Sequence, residues 1–227
     1  MKSLTKLLAP AGLALAALAM TTPAAAQVQG RLATADVSRA IISTSALQTA
    51  YNQVNTTYAA QLETRRTKQQ QLSTLLQPFD ANGNGNLDEA ELPAVQSSPN
   101  FTQIQTLEAE IASLNVQVNN ARIYAVEQIL AQYPAALQEV AAAQQIALVL
   151  QPESIQWAGQ GADITPQITT SLNTKVPSVN IVPPAEYRPS QQGAQIFQEI
   201  QQYLLVAQLR QQQQQQQGTT QQQPQGR

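Results

Sequence analysis

The sequence contains no cysteine and no histidine. Without cysteine there are no disulfide staples, so a chain of about 200 residues must be held by packing or by association with other chains. Without histidine, Ser-His-Asp and Cys-His nucleophile systems and histidine-ligated zinc are excluded together. Charge is scarce too, at 11% of residues, and aromatics make up only 4%. Nothing in so bland a chain suggests an enzyme.

What is present begins with Lys2 and Lys6, the apolar run "LLAPAGLALAALAM" and "TTPAAAQ", which ends in the small-x-small pattern accepted by signal peptidase. Residues 1–26 are therefore expected to be a signal peptide that exports the protein. The run is shorter than the about 20 residues of a membrane span, it is broken by Pro10, and no later segment is long enough. No transmembrane segment is expected in the mature chain. Removing Lys2 and Lys6 from the twelve basic residues leaves ten against fourteen acidic ones, net −4, which argues against a nucleic-acid partner.

"RLATADVSRAI", Arg31 to Ile41, reads as a short strand entering a helix, within an N-terminal base segment 27–45. Residues 46–142 read as a long antiparallel helical hairpin. In the first arm Leu47, Tyr51, Val54, Tyr58 and Leu62 form a seam of coiled-coil spacing, which weakens through "TRRTKQQQ" and resumes at Leu72, Leu75 and Leu76. The cations of that run, Arg65, Arg66 and Lys68, read as a solvated helix face. In the second arm, Ser98 is the expected cap and Pro99 the first helical residue. Its seam runs Ile104, Leu107, Ile111, Leu114, Val118, Ala121 and Ala125, and continues through Ile129, Tyr133, Leu137 and Val140 with a kink expected at Pro134. Each arm would be on the order of 50 to 65 Å long.

A lone two-helix hairpin buries too little to fold alone, so the arms need a base. Residues 143–180 supply one: "QIALVLQPESIQWAG" reads as a β-hairpin turning at Gln151-Pro152-Glu153, with Arg31 to Val37 as a third strand. Trp157 is expected in its core. "DITPQITTSLN" returns to a short helix with Asp163 or Thr165 near its cap, and Asp36 also reads as a cap or turn residue. Residues 181–227 read as a proline-rich linker, an amphipathic helix with Ile196, Ile200, Tyr203, Leu204 and Leu205 on one side, and a disordered Gln-rich tail. The fold class is thus mainly α with a small β body, a helical hairpin on a short three-stranded base.

This arrangement resembles the Skp/OmpH family of periplasmic chaperones. The resemblance rests on "RLATADVSRAI", the central hairpin, and "LQEVAAAQQIALVLQPESIQWA" followed by "DITPQITTSLN", and covers Arg31 to Asn173. It implies a periplasmic homotrimer whose β-rich bodies associate and whose hairpins project around a cavity for unfolded outer-membrane proteins. Two departures stand out. The arms carry few cations, Arg65, Arg66, Lys68 and Arg122 being nearly all of them, and the hairpin tip is not a plain turn.

At that tip, "DANGNGNLDEAE" gathers four of the fourteen carboxylates into twelve residues, Asp80 to Glu91. It fits the EF-hand calcium loop. Asp80, Asn82 and Asn84 offer side-chain oxygens, Gly85 allows the sharp turn, and Asn86 offers its carbonyl. Leu87 is the apolar eighth residue, Asp88 acts through water, and Glu91 supplies a bidentate carboxylate. A polar turn needs neither Leu87 nor Glu91 at those places, although the two Asn-Gly pairs alone would make a turn. With three carboxylates among the ligands and no paired loop, the expected Ca²⁺ site is weak, with Kd about 10⁻⁴ to 10⁻³ M. The functional expectation is a holdase that binds unfolded outer-membrane proteins. The alternative is a calcium-dependent structural or adaptor protein of the envelope.

Overall fold

The computed structural model describes residues 30–220, and side chains through 214. The expected signal peptide, 1–26, lies outside the described residues. The chain opens with β1 (Arg31–Thr34) and α1 (Val37–Ile42), whose Asp36 caps the helix by accepting the Arg39 N–H at 2.8 Å. The first arm follows as α2 (Ser45–Thr57) and α3 (Ala59–Leu76), broken at Tyr58. Neither Gly nor Pro makes that break. Two β-branched residues, Thr56 and Thr57, precede it, and the Thr56 hydroxyl bonds back to the carbonyl of Gln53 at 2.9 Å, a habit that bends helices.

The tip loop leads through the short α4 (Leu92–Gln96) to the 30-residue α5 (Phe101–Leu130). The expected start at Ser98-Pro99 is corrected here. Pro93 opens α4 instead, and Ser98 forms a turn whose hydroxyl accepts the Asn100 N–H at 3.0 Å, so the long helix starts at Phe101. The kink expected at Pro134 is a full break. α5 stops at Leu130 and α6 (Tyr133–Ala143) starts with Pro134 in its first turn, because the proline ring would collide with the Leu130 carbonyl in a continuous helix. Gln145, with φ 54°, turns the chain out of α6 into β2 (Ile146–Leu150).

β2 lies parallel to β1, with Leu32 opposite Leu148 and Ala33 opposite Val149. Parallel strands require a long crossover, and here the whole helical hairpin is that crossover. The three-stranded base with a β-hairpin at 151–153 is corrected to this two-stranded sheet. Pro152, which has no N–H to give a ladder, begins a 3-10 turn over Pro152–Ser154, and the chain leaves without forming the second strand of the expected hairpin. Beyond its ladder pair with Leu150, Thr34 makes an isolated bridge to Asp163. Trp157, expected in the core, is 84% exposed because its strand does not form.

α7 (Thr165–Lys175) packs on α6 and α1, and α8 (Gln191–Thr220) packs on α5 and α1. α8 runs into the Gln-rich segment read as disordered as far as Thr220, and the tail at 221–227 lies outside the described residues. Glutamine is a good helix former, and this run has neither Pro nor β-branched residues before Gly218. The main core joins Ile41, Leu47, Val126, Ile129, Ile168 and Ile200 from five helices at the base of the hairpin. No helix among the described residues is long and apolar enough to cross a membrane.

Candidate functional site

Three regions carry the chemistry of this chain: the hairpin arms, the tip loop and the C-terminal segment laid across the base. The arms are unequal. α5 buries Ile104, Leu107, Ile111 and Val118, whereas α3 buries no residue at all, as its weak seam implies. Polar clasps hold the two arms in register. Arg65 donates to Asn115 at 3.1 Å, Lys68 to Glu110 at 2.7 Å and Arg122 to Asn55 at 3.2 Å. Arg122 also sits 5.7 Å above the Tyr51 ring. Three of the four arm cations therefore bind the hairpin to itself, and the Arg65 to Lys68 run is not a free basic face.

In the tip loop the expected ligands are ordered by the backbone they enclose. Asp80 accepts the N–H groups of Asn84 and Gly85 at 3.1 and 2.8 Å through its two oxygens, and Asn82 Oδ1 accepts the Asn84 N–H at 2.9 Å. Asn84 accepts the Asn86 N–H at 2.7 Å. Gly83 and Gly85 take φ of 68° and 80°, the left-handed turns that a β-carbon resists. Asp88 accepts the N–H groups of Ala90 and Glu91 and takes a bond from the Asn82 amide at 3.0 Å. Glu91 is 8% exposed and closes the loop: Oε1 accepts the Ala81 N–H at 2.8 Å, and Oε2 accepts the Asp88 N–H at 3.1 Å.

The loop is thus preformed through its own side chains. Half of its expected donors are Asn oxygens, and no cluster of three carboxylates forms among the described residues. The donor set is entirely hard oxygen, which suits Ca²⁺, but Glu91 would have to release backbone N–H groups before it could ligate through both oxygens. Leu87 faces Leu72 and Leu76 of α3 across a cleft of about 530 Å³ that Asp80 also lines.

The C-terminal segment holds functional contacts that the sequence reading missed. Glu127 of α5 is its anchor. It accepts the Tyr187 hydroxyl at 2.6 Å and the Ser190 N–H at 2.7 Å, and takes a further bond from the Ser190 hydroxyl. Desolvation, together with that carboxylate, pushes the Tyr187 pKa well above its usual value. Beside it, Gln128 and Asn180 exchange two bonds, side-chain N–H to backbone carbonyl at 2.8 Å and backbone N–H to side-chain oxygen at 3.0 Å. Two more hydrogen bonds join α8 to the start of α1, Ser38 to Glu199 and Tyr203 to Asp36. One signal was legible: Ser190, followed three residues later by Gly193, is a helix cap, and its hydroxyl accepts the Gly193 N–H at 3.0 Å.

At the base, Arg39 pairs with Asp163, which also accepts the Thr165 N–H at 3.0 Å. Partial burial alone would raise the Asp163 pKa. The Thr165 hydrogen bonds and the Arg39 charge outweigh it and hold the carboxyl below its usual range.

Residues 31–172, strand β1 to the last turn of α7, match the family model described as Outer membrane protein (OmpH-like). The chain belongs to the OmpH-like family. A crystal structure from Caulobacter crescentus CB15, described as that of a candidate outer membrane chaperone (OmpH-like), is 17% identical with a TM-score of 0.41. That match covers 69% of this chain and 92% of the Caulobacter chain. No curated protein matches. The OmpH-like match includes the hairpin and the sheet and ends before the segment anchored on Glu127, so α8 lies outside it.

Proposed function

We propose that this chain is a periplasmic holdase that shelters unfolded outer-membrane proteins between helical arms without covalent chemistry. The observation that carries the reading is OmpH-like membership over a segment containing both the base and the complete hairpin. The composition agrees, since a chain without His or Cys has no conventional nucleophile and base pair. Weak, general binding also suits arms that engage three of their own four cations. A basic surface would select anionic clients, whereas polar helices with short apolar seams contact any unfolded chain.

The working unit we propose is a homotrimer joined through its bases, with segments 27–45 and 143–180 forming the body and 46–142 the arm. A two-stranded parallel sheet is too small to stand alone, and here it leaves Leu32 and Leu148 exposed on its outer face. At the tip, Asp80, Asn82, Asn84, the Asn86 carbonyl, Asp88 and Glu91 would hold Ca²⁺ weakly. The ion would stiffen the loop between the two arms.

Partner capture from envelope extract tests the reading. A heterogeneous set of unfolded β-barrel proteins is expected. A single folded partner retained only with calcium would contradict it in favour of an adaptor.

A further inference from the structure

α8 changes character halfway along its length. Its first half is a docked helix in which Ile196, Phe197 and Ile200 are buried against α5 and α1. The last hydrogen bond to the body among the described side chains is that of the Tyr203 hydroxyl to Asp36. Beyond it the helix continues as a rod to Thr220, about 27 Å at 1.5 Å per residue, with its side chains exposed through Gln214.

That rod begins with an apolar girdle. Tyr203, Leu204, Leu205, Val206 and Leu209 are each 40 to 56% exposed. At 3.6 residues per turn they point in all directions around the axis. Tyr203, Val206 and Arg210 line a groove of about 900 Å³ against Asp36, Pro152 and Glu153, while Leu204, Leu205 and Leu209 do not. Leu205 and Leu209, four residues apart, form a ridge on the side away from the body. A helix that is apolar all round is normally buried, and a free helix this short is marginal in water without packing.

The charge pattern identifies the occupant. From Ile200 to Thr220 the only charged residue is Arg210, and it lies on the groove side with Asp36, Glu153 and Glu199. The outward ridge therefore carries no charge on a protein that is otherwise net acidic. A membrane-surface helix would need a cationic border, which this one lacks. A second α8 brings no like charge to the ridge, and the glutamines that follow complement themselves, because each side-chain amide both donates and accepts.

We propose that the free half of α8 is a self-association surface whose partner is the same helix of a second copy of this chain, packed along the Leu205 and Leu209 ridge. This contact is separate from the sheet surface at the base and does not depend on what the arms bind.

The cysteine-free sequence makes the test direct. Single Leu205→Cys, Leu209→Cys and Gln213→Cys variants of the full chain, mildly oxidised, are expected to form disulfide dimers at least tenfold faster than Glu108→Cys on the exposed side of the hairpin. Adding Leu205→Lys and Leu209→Lys to Gln213→Cys should slow its cross-linking at least tenfold. Circular dichroism should show helix content retained. Cross-linking no faster than Glu108→Cys overturns the proposal. So does cross-linking of Gln213→Cys that persists with the two lysines, since proximity would then come from the base alone. Cysteines at 205 and 209 that fail to cross-link but are shielded by lipid vesicles or by an unfolded barrel protein would also overturn it.

Discussion

Gly193 of α8 rests directly on the Glu127 carboxylate: a β-carbon at 193 would collide with Glu127 Oε1 and lie 2.5 Å from its Cγ. Glu127 cannot easily move aside, because Tyr187 and Ser190 hold both its oxygens. Gly193→Ala is therefore expected to loosen the docking of α8 by about 1 to 3 kcal/mol, in the usual range for overpacking. Hydrogen exchange should speed up in residues 180–200 and stay unchanged in the hairpin arms. Unchanged exchange across 180–200 would show that this contact does not hold the segment.

Alkali should destabilise this protein, whereas its stability near neutrality should change little. Burial pushes the Tyr51 and Tyr133 pKa values up to about 12, and hydrogen bonding to Asp36, followed by burial, does the same for Tyr203. Their unfolded values are about 10. A raised folded pKa means that the native state keeps its proton longer, so this stability is intact below about pH 10 and is lost as pH rises through about 12. With no histidine in the chain, stability between about pH 6 and 9 should be nearly flat. Urea unfolding midpoints at about pH 8 and about pH 11 check both parts.

The tip separates an ion site from a polar turn. Glu91→Gln should weaken Ca²⁺ binding far more than Glu89→Gln, because Glu91 is the buried loop-closing carboxylate while Glu89 is exposed at a non-ligating place. Calcium at tenfold its Kd should stabilise the wild type by about 1.4 kcal/mol, read as a rise in Tm. Calorimetric titration at up to about 5 mM Ca²⁺, above the Kd range given for such sites, should show binding. Equal binding by the two variants, or none by the wild type, would reduce the loop to a turn.

The sheet offers a test of assembly that spares the fold. Val149 packs against the chain's own core, whereas Leu148 is 45% exposed on the outer side beside Leu32. Leu148→Asp should leave the protomer folded and dissociate the proposed trimer, since burying an unpaired charge in an interface costs several kcal/mol. Light scattering should then report a monomer for the variant and a trimer for the wild type. A monomeric wild type at micromolar concentration would contradict the assembly.

The hairpin was legible because its signals are local: a seam of regular spacing in α5, and Pro134 breaking the helix where a ring meets the Leu130 carbonyl. Asp36 as a cap is legible for the same reason. The base was harder. Whether Ile155 to Trp157 pairs as a strand depends on partners distant in sequence, and β-rich residues after Pro152 do not decide it. In the tip the ligand order can be read residue by residue, but Glu91 bonding back to Ala81 and Asp88 depends on the closed shape of the loop. Least legible was the Glu127 anchor. A glutamate in a long helix looks like any solvated residue until Tyr187 and Ser190, about sixty positions later, arrive beside it.

The most direct measurement is aggregation of a denatured outer-membrane β-barrel diluted into buffer with the protein, without its expected signal peptide, at three chains per client. The account predicts suppression of light scattering at that ratio, with or without calcium, and undiminished in Glu91→Gln. Aggregation proceeding at the rate seen without the protein would contradict the holdase reading.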